Sequence, residues 1–326
     1  MRVLVTGGTG FVGTHVVNRL LHRGHEVAVL ARDPEKTRNR YNRPVETAAG
    51  DVLDPASLAR AAAGREAVVH LVGIIHETRQ TFDRMHREAA QNVIAAAAAA
   101  GARRYLHMSA MGTSEDSPSE YGRTKAAGER AARESGLDWT VFRPSIIFGY
   151  GDGFVSLLAP IVRRNPGFIP VIGPGTTKFQ PVSVLDVARV FADSLEKPET
   201  VRRVYEVGGP DVLTLDEVYR EIAAAVGKPG KPLIHLPIWY GRILARAFEW
   251  LARRGLFTDP PLTRDQLKSL SRDNAADVSE TVATFGGTWR RFAPGIREYL
   301  SAGRHDPRAG IGGEVELERR AILRIR

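Results

Sequence analysis

The chain has 326 residues, a formal net charge of +9 and no cysteine. This length allows one large or two smaller domains, and the lack of cysteine excludes disulfides, cysteine metal sites and thiol nucleophiles. The basic residues are spread along the whole chain, so we expect no nucleic-acid partner. No stretch of about 18 apolar residues predicts a membrane-spanning helix. Because strand character begins at the second residue, we expect no signal peptide and a cytoplasmic location.

The first predicted element is a short apolar strand, residues 3–5, that leads into a glycine-rich turn and then a helix. A turn of this kind binds the pyrophosphate of a dinucleotide, because glycines permit close backbone approach and the helix N-terminus offers free N–H groups. The alternative is a glycine turn retained for packing alone. The predicted cofactor-binding residues of the turn are Gly7, Thr9, Gly10, Phe11, Val12 and Gly13.

Strand and helix patterns alternate through the first half of the chain. This alternation predicts an α/β fold with a doubly wound parallel sheet of the Rossmann type. Asp54 and Pro55 have the pattern of a helix start, with the aspartate as N-cap. The predicted strands are residues 3–5, 27–30, 45–49, 67–72, 105–108 and 140–142. The predicted helices are residues 14–22, 57–63, 82–100 and 125–134.

The pattern changes near residue 150, where glycine and proline become frequent. We therefore assign residues 1–150 to a dinucleotide-binding domain and residues 151–302 to a smaller, mostly helical C-terminal substrate lobe. Within the second range, residues 179–207 are expected to return to the first domain, with a helix over residues 182–195. Residues 303–326 are glycine-rich and then charged, which predicts a loosely ordered tail.

The end of the second predicted strand bears on the choice of dinucleotide, because an acid there accepts from a ribose 2′-hydroxyl and an arginine pairs with a 2′-phosphate. Arg32 lies there and no acid caps the strand, which favours NADP(H), with NAD(H) as the alternative. Asp33 has the spacing of an NAD-binding acid, but residues 33–35 also have the pattern of a helix N-cap. Asp51 and Val52, after the next strand, are predicted to meet the adenine.

Tyr121 and Lys125 stand four residues apart, so on a helix their side chains would share one face. A free tyrosine loses its phenol proton at about pH 10, and a neighbouring lysine cation is expected to lower that pKa. Such a pair exchanges a proton with a carbonyl or hydroxyl oxygen while a nicotinamide moves a hydride. Ser109, in the loop after the preceding strand, is the third candidate catalytic residue.

The order of these motifs resembles the extended and atypical short-chain dehydrogenase/reductases. The resemblance rests on the glycine turn, on Gly50-Asp51, on Tyr121-x-x-x-Lys125 and on residues 143–149, and it covers roughly residues 1–300. It implies that Tyr121 is the general acid and base and that Lys125 binds the nicotinamide ribose. It also implies that the backbone from Pro144 to Ile146 flanks the nicotinamide.

Within that superfamily the chain is similar to the branch that contains the dehydrogenase-like accessory subunit of respiratory complex I and its bacterial relatives. The similar stretches are residues 70–73, 105–110 and 260–267, and the first supplies Val72 and Gly73 as further cofactor-binding residues. The resemblance implies tight binding of NADP(H), and members of the branch often lack demonstrable turnover. Where extended members carry a Ser-Ser or Ser-Thr pair, this chain has Ser109-Ala110. If Ala110 occupies the position that orients the substrate oxygen, a hydrogen-bond donor is missing, and such a loss typically lowers the rate by about 10²–10³.

A basic amphipathic stretch covers residues 233–257. It is either the buried face of a helix in the substrate lobe or a surface for an anionic membrane or a protein partner. Its basic residues are Arg242, Arg246, Arg253 and Arg254. Elsewhere, His70, His76 and His107 lack the clustered spacing of metal ligands, so we expect no metal site.

Two hypotheses about function follow. The first is an NADP(H)-dependent oxidoreductase or epimerase-like enzyme that acts on a carbonyl or hydroxyl group of a small-molecule substrate. The second is a cofactor-holding structural or assembly protein of a membrane-associated redox complex, peripheral to the membrane and with little or no turnover. The sequence leaves both the substrate and the oligomeric state open.

Overall fold

A computed structural model describes residues 1–37, 39–77, 80–254, 256, 260–269 and 272–300, and the predicted tail at 303–326 lies outside them. The strands of the described residues are β1 (Arg2–Thr6), β2 (Glu26–Ala31), β3 (Glu46–Ala49), β4 (Ala67–His70), β5 (Arg104–Met108), β6 (Asp138–Pro144), β7 (Ile147–Phe148), β8 (Ile169–Ile172), β9 (Lys178–Phe179), β10 (Val182–Ser183), β11 (Arg203–Val207), β12 (Leu213–Thr214) and β13 (Leu233–Leu236). Seven of them form a parallel sheet in the order β11-β6-β5-β4-β1-β2-β3. This order confirms the predicted Rossmann-type α/β fold.

The α-helices of the described residues are α1 (Phe11–His22), α2 (Pro55–Ala62), α3 (Ala89–Ala99), α4 (Glu120–Arg133), α5 (Val155–Arg164), α6 (Val184–Ser194), α7 (Leu215–Ala225), α8 (Ile238–Arg253), α9 (Arg264–Ser269), α10 (Ser279–Phe285) and α11 (Phe292–Leu300). Asp54 caps α2 as expected, since its side chain accepts from the Ala56 N–H at 3.0 Å. The helix expected over residues 182–195 begins only at Val184, because Val182 and Ser183 pair with β7.

Helices cover both faces of the sheet. One face packs against α1 and α6 through residues such as Val16, Leu20 and Phe191. The other packs against α2, α3 and α4, where a run of small residues in α3 includes the buried Ala89, Ala90 and Ala97. A third core joins α5, α7 and α11 to the short strands β7, β8 and β9. The C-terminal lobe is therefore built on its own apolar core.

The predicted helix over residues 82–100 is interrupted by a π-helical turn, Arg84–Glu88. At this turn α4 passes so closely that a Cβ on Gly128 would lie 2.2 Å from the His86 carbonyl oxygen. The His86 ring accepts from the Ile74 N–H at 3.1 Å and is 2.9 Å from the Thr124 hydroxyl. The π-turn thus places one buried histidine between α4 and the loop after β4. Turns of this kind are frequent near functional sites.

Candidate active site

The predicted site residues gather along one edge of the sheet. Because all seven strands are parallel, their carboxyl ends meet at that edge. The glycine turn follows β1, Arg32 follows β2, and Asp51 follows β3. Val72 and Gly73 come after β4, Ser109 after β5, and Pro144 ends β6. Tyr121 and Lys125 reach the same edge from α4, as the contacts below show.

The glycine turn is fixed by contacts that leave no room for side chains. A Cβ on Gly13 would lie 2.1 Å from the Gly7 carbonyl oxygen, and Gly7 itself has a positive φ of 76°. Gly10 is the N-cap of α1, so no N-cap side chain accepts from the first N–H groups of the helix, and the first helical turn contains no acid. The first N–H groups of α1 are thus available to an anion, and the turn fits a dinucleotide pyrophosphate.

The surroundings of β2 bear on the 2′-position of the cofactor ribose. Arg32 is exposed directly after the strand. The Asp33 carboxylate accepts from the Glu35 N–H at 3.2 Å, so it caps the short 3₁₀-helix Pro34–Thr37, as the second interpretation of that motif predicted. Arg40 Nε donates to the Thr14 hydroxyl at 3.0 Å, which brings another arginine against the first turns of α1. Sequence analysis missed Arg40 because it lies in a loop without regular spacing.

Asp51 and Val52 occupy the neighbouring loop after β3. The Gly50 N–H donates to the Ala31 carbonyl at 3.1 Å, so the ends of β2 and β3 lie side by side. The Asp51 carboxylate accepts from the Leu53 N–H at 2.9 Å and thereby shapes the turn, while Val52 is buried. This loop borders the position where an adenine is expected, and Asp51 has a structural role there as well.

Lys125 is buried in the centre of the edge. Its Nζ donates to the Met108 carbonyl at the end of β5. A Cβ on Gly73 would lie 3.7 Å from the same Nζ, so the backbone after β4 is its direct neighbour. Burial lowers the pKa of Lys125 to about 8, although the Glu129 carboxylate acts in the opposite direction.

Tyr121 lies one helical turn before Lys125, at the start of α4. Its ring meets Phe82 and His86 edge to face, with ring centroids 5.9 Å and 5.3 Å away. Burial raises the pKa of the phenol to about 12. The expected lowering of this pKa by the lysine cation is therefore wrong for this arrangement, because desolvation dominates and the Lys125 Nζ is bound to the Met108 carbonyl.

Ser109 points to a different partner from the one expected of a substrate-orienting residue. Its hydroxyl donates to the Glu129 carboxylate at 3.0 Å, and Glu129 also receives two hydrogen bonds from Arg143. The Ser109 hydroxyl is therefore engaged with Glu129, and its neighbour Ala110 has no hydroxyl to offer instead.

A row of buried polar side chains underlies the same edge. Thr6, His70 and His107 are register partners on the adjacent strands β1, β4 and β5. His70 Nδ1 is 2.7 Å from the Thr6 hydroxyl, and the His70 and His107 rings stack at 5.5 Å. Burial, aided by the Lys125 cation, lowers the pKa of His70 to about 3 and that of His107 far below its usual value.

These histidines are neutral at physiological pH. The same two causes lower the pKa of His86 to about 2. Within the described ranges, no group of three His, Cys, Asp or Glu side chains is arranged to hold a metal ion. The rings of these histidines therefore lie near the Lys125 cation in their neutral form. Its signal in the sequence was one histidine near the end of each of two predicted strands, a pattern that only strand register converts into a cluster.

Two backbone hydrogen bonds hold the segment from Pro144 to Ile146 at this edge of the sheet. The Pro144 carbonyl accepts from the Met111 N–H, and the Ile146 carbonyl accepts from the Val182 N–H, each at 2.9 Å.

At the other end of the site, Asp265 on α9 accepts from the backbone N–H groups of Glu120 and Tyr121, at 2.8 and 3.1 Å. Asp265 therefore ties the C-terminal lobe to the start of α4.

Comparison with known proteins assigns the family. Residues 7–198 match the family model described as NAD(P)H-binding. The chain belongs to this family. This NAD(P)H-binding protein is 31% identical over 287 residues to NADH dehydrogenase [ubiquinone] 1 alpha subcomplex subunit 9, mitochondrial, from Arabidopsis thaliana, across 86% of this chain and 70% of that protein. It is also 31% identical over 227 residues to the NAD(P)H azoreductase of Xenophilus azovorans, across 70% of this chain and 74% of the relative.

Solved structures show the same fold. The dTDP-glucose 4,6-dehydratase DesIV of Streptomyces venezuelae, with NAD bound, superposes with a TM-score of 0.72 at 22% identity, covering 94% of this chain and 98% of that one. The UDP-glucose 4-epimerase of Thermotoga maritima superposes with a TM-score of 0.70 at 19% identity, covering 92% and 98%. Together with the relatives, these matches confirm the resemblance to the extended and atypical short-chain dehydrogenase/reductases.

Proposed function

We propose that this protein is an NADP(H)-dependent reductase that converts a carbonyl group of a small-molecule substrate to an alcohol. The observation that carries the proposal is the meeting of the glycine turn, Lys125 and Tyr121 at one edge of the sheet. Relatives named NAD(P)H azoreductase and ceramide reductase support a reductive activity. The substrate of this protein is not identified by those names.

The mechanism follows from the protonation states of the two side chains. The chemistry that NADPH would supply when bound beside Lys125 is a hydride for the carbonyl carbon. Tyr121 donates its phenol proton to the carbonyl oxygen, which completes the alcohol. Because its pKa is raised to about 12, the phenol is protonated at neutral pH and suits a proton donor. The resulting phenolate then recovers a proton from water.

Lys125 has a second role in this scheme. Its ammonium group lies beside Gly73 and the Met108 carbonyl, where the ribose of a nicotinamide nucleotide would be held. Since its pKa is about 8, the cation is present at neutral pH and is lost above that value. We expect reduction to slow above about pH 8, because a neutral lysine donates weaker hydrogen bonds to the ribose hydroxyls than an ammonium group does.

Exchange of Tyr121 for phenylalanine tests the assignment. The Tyr121→Phe variant should lose about 10²–10⁴ in turnover, the usual contribution of a general acid. Its affinity for NADPH should stay within about twofold, because the phenol is not a cofactor ligand in this scheme. Turnover is measured as NADPH oxidation with a panel of ketones and quinones, and affinity by calorimetric titration. Unchanged turnover in the variant would refute the catalytic role of Tyr121.

The preference for NADPH rests on Arg32, with Arg40 nearby. Replacement of Arg32 by alanine should weaken NADPH binding by about 10- to 100-fold, the loss expected for a charge-assisted hydrogen bond to phosphate. NADH binding should not change. Arg103→Ala removes an equal charge just before β5, at the opposite edge of the sheet, and serves as the matched control. Equal losses of affinity for NADPH and NADH would show that Arg32 does not recognise the 2′-phosphate.

A second function is favoured by one specific observation. Of the two residues directly after β5, Ala110 has no hydroxyl and the Ser109 hydroxyl is bound to Glu129, so neither offers a free donor to a substrate oxygen. A cofactor-holding subunit of a membrane-associated redox complex needs the nucleotide site but not this donor. Relatives from Arabidopsis thaliana and Dictyostelium discoideum carry the name of such a complex. Tight NADPH binding without oxidation by any carbonyl compound would favour this function over the reductase.

A further inference from the structure

Helix α8 exposes an unusual amount of apolar surface. Trp239, Ile243 and Trp250 are 61%, 54% and 52% exposed. At about 100° per residue these three side chains fall on a single stripe of the helix. Ile234 just before the helix and Leu256 just after it are exposed as well. Several large apolar side chains exposed side by side on a folded protein mark a surface for a partner or a membrane.

The opposite face of α8 explains why this stripe points outwards. Gly241 and Ala245 are the buried residues of the helix. A Cβ on Gly241 would lie 2.6 Å from the Ile172 side chain, so α8 is pressed against β8 along that face. The orientation of the tryptophans is thus fixed by packing. The sequence left open whether this stretch packs into the core or meets a partner; one face of α8 packs against β8 and the opposite face is exposed.

A cationic stripe runs beside the tryptophans. Arg242, Arg246 and Arg253 lie to one side of the apolar stripe, displaced from its centre by about 80°, 40° and 60°. Two of them line a groove of about 510 Å³ between α8 and α9. The cationic residues that line this groove are Arg242, Arg246, Arg264, Lys268 and Arg272. Glu249 pairs with Arg264, and within the described part of the chain no salt bridge neutralises the other four.

We propose that α8 and α9 form a docking surface for an anionic phospholipid bilayer. Trp239, Ile243 and Trp250 enter the headgroup region, where tryptophan is favoured, and the cationic groove receives lipid phosphates. The charge of the groove decides between occupants, because four cations without an acidic partner among the described residues, beside an apolar stripe, match an anionic bilayer better than an apolar protein surface. No described helix is long and apolar enough to cross a membrane, so the binding is peripheral.

Docking in this way would bring the bilayer close to the candidate active site. Pro118, three residues before Tyr121, also lines the groove. Asp265 on α9 holds the backbone of Glu120 and Tyr121. The docking surface is therefore continuous with the start of α4. The proposal does not depend on the reductase activity, since it rests on exposed residues outside the nucleotide-binding edge.

Vesicle co-sedimentation tests the proposal. The full-length protein is mixed with phosphatidylcholine vesicles or with vesicles that also contain phosphatidylglycerol. We expect binding to the anionic vesicles, weakened strongly by added salt, and little binding to the neutral ones. Tryptophan fluorescence should shift to the blue on binding and be quenched by brominated lipid. Soluble glycerol phosphate in the same assay shows whether a free phosphate competes as well as a bilayer does.

Paired variants separate the contribution of charge from that of apolar area. Arg242→Gln/Arg246→Gln should lower partitioning into anionic vesicles by more than about tenfold. Trp239→Ser/Trp250→Ser should abolish the lipid quenching. The matched controls are Arg60→Gln/Arg103→Gln, which removes two exposed charges elsewhere, and Val282→Ser, which removes an exposed apolar side chain from α10. Both controls should bind like the wild-type protein.

Three outcomes would overturn the proposal. Absence of binding to any vesicle would leave the face to a protein partner. Equal losses in the α8 variants and in the controls would show that only the total charge matters. Full competition by glycerol phosphate, without any tryptophan quenching, would assign the groove to a soluble anion. Circular dichroism of each variant confirms that it is folded, and the replaced side chains are exposed, so no loss of stability is expected.

Discussion

The two halves of the candidate site are built in different ways. On the nucleotide side, the glycine turn is shaped by backbone contacts, such as the one that a Cβ on Gly13 would break. On the substrate side, Ser109, Lys125 and Tyr121 are placed by side-chain hydrogen bonds and ring contacts. A backbone-built site tolerates few residue types. A site built from side chains can lose its chemistry through a single exchange and still fold.

This difference predicts where variants will act. Changes in the glycine turn should abolish cofactor binding, whatever the substrate. Changes on the substrate side should alter turnover or pH dependence while leaving the cofactor bound.

The largest effect is expected from Gly13→Ala. The new Cβ would lie 2.1 Å from the Gly7 carbonyl oxygen and 2.7 Å from the Gly8 Cα, both in the backbone, so the turn must shift. We expect NADPH affinity to fall by about 10²-fold or more, because the pyrophosphate contacts are lost together. Calorimetric titration measures the loss.

Two further variants make this prediction decisive. Gly10→Ala is the milder change, since its Cβ would meet only the Gly7 carbonyl oxygen at 3.2 Å, and it should lower affinity less. Gly167→Ala is the control, because nothing lies within 4 Å of its Cβ. Wild-type affinity in a folded Gly13→Ala protein would show that the turn is retained for packing and does not hold the dinucleotide.

The nucleotide side could be predicted from the sequence for the same reason that it is sensitive to mutation. Gly7 requires a positive φ and Gly13 requires the absence of a side chain. The glycines in the sequence therefore indicate the backbone geometry of the turn directly. Similarly, the parallel sheet follows from the alternation of strands and helices. The π-turn could not be predicted, because it arises from the close approach of Gly128 on α4, a contact distant in sequence.

The next effect concerns the substrate side and is a gain. Ala110→Ser should supply a hydroxyl that is not already bound to Glu129, and we expect turnover of carbonyl substrates to rise by at least about tenfold. NADPH affinity should not change. Ser109→Ala is the matched comparison, since its hydroxyl binds Glu129. That variant should lower the free energy of unfolding by about 1.5–3 kcal/mol and leave turnover nearly intact.

Ser109 also shows the limit of inference from the sequence on this side. Its spacing from Tyr121 suited a catalytic role, yet the direction of its side chain is set by a buried Glu129 that pairs with Arg143. The pKa of Tyr121 teaches the same lesson. The spacing predicted that Lys125 would lower the pKa of Tyr121, but burial of the phenol raises it. That burial depends on the packing of Phe82 and His86 against the Tyr121 ring. A full reversal, with turnover lost in Ser109→Ala and unchanged in Ala110→Ser, would return the role of donor to Ser109.

The smallest effect is a change in how stability depends on pH. His70, His86 and His107 have lowered pKa values in the folded protein, so below about pH 6.5 the unfolded chain binds protons that the native state does not. The contribution of these histidines to the free energy of unfolding is therefore fully present above about pH 6.5, and it is lost as the solution becomes more acidic. Each histidine contributes about 1.4 kcal/mol per pH unit. His107→Gln should reduce the slope by that amount between about pH 6 and pH 4.5, as measured by urea unfolding. The subtraction from wild type cancels the titration of carboxylates common to both proteins. An unchanged slope would mean that His107 is protonated in the native state, and the row beneath Lys125 would then carry charge.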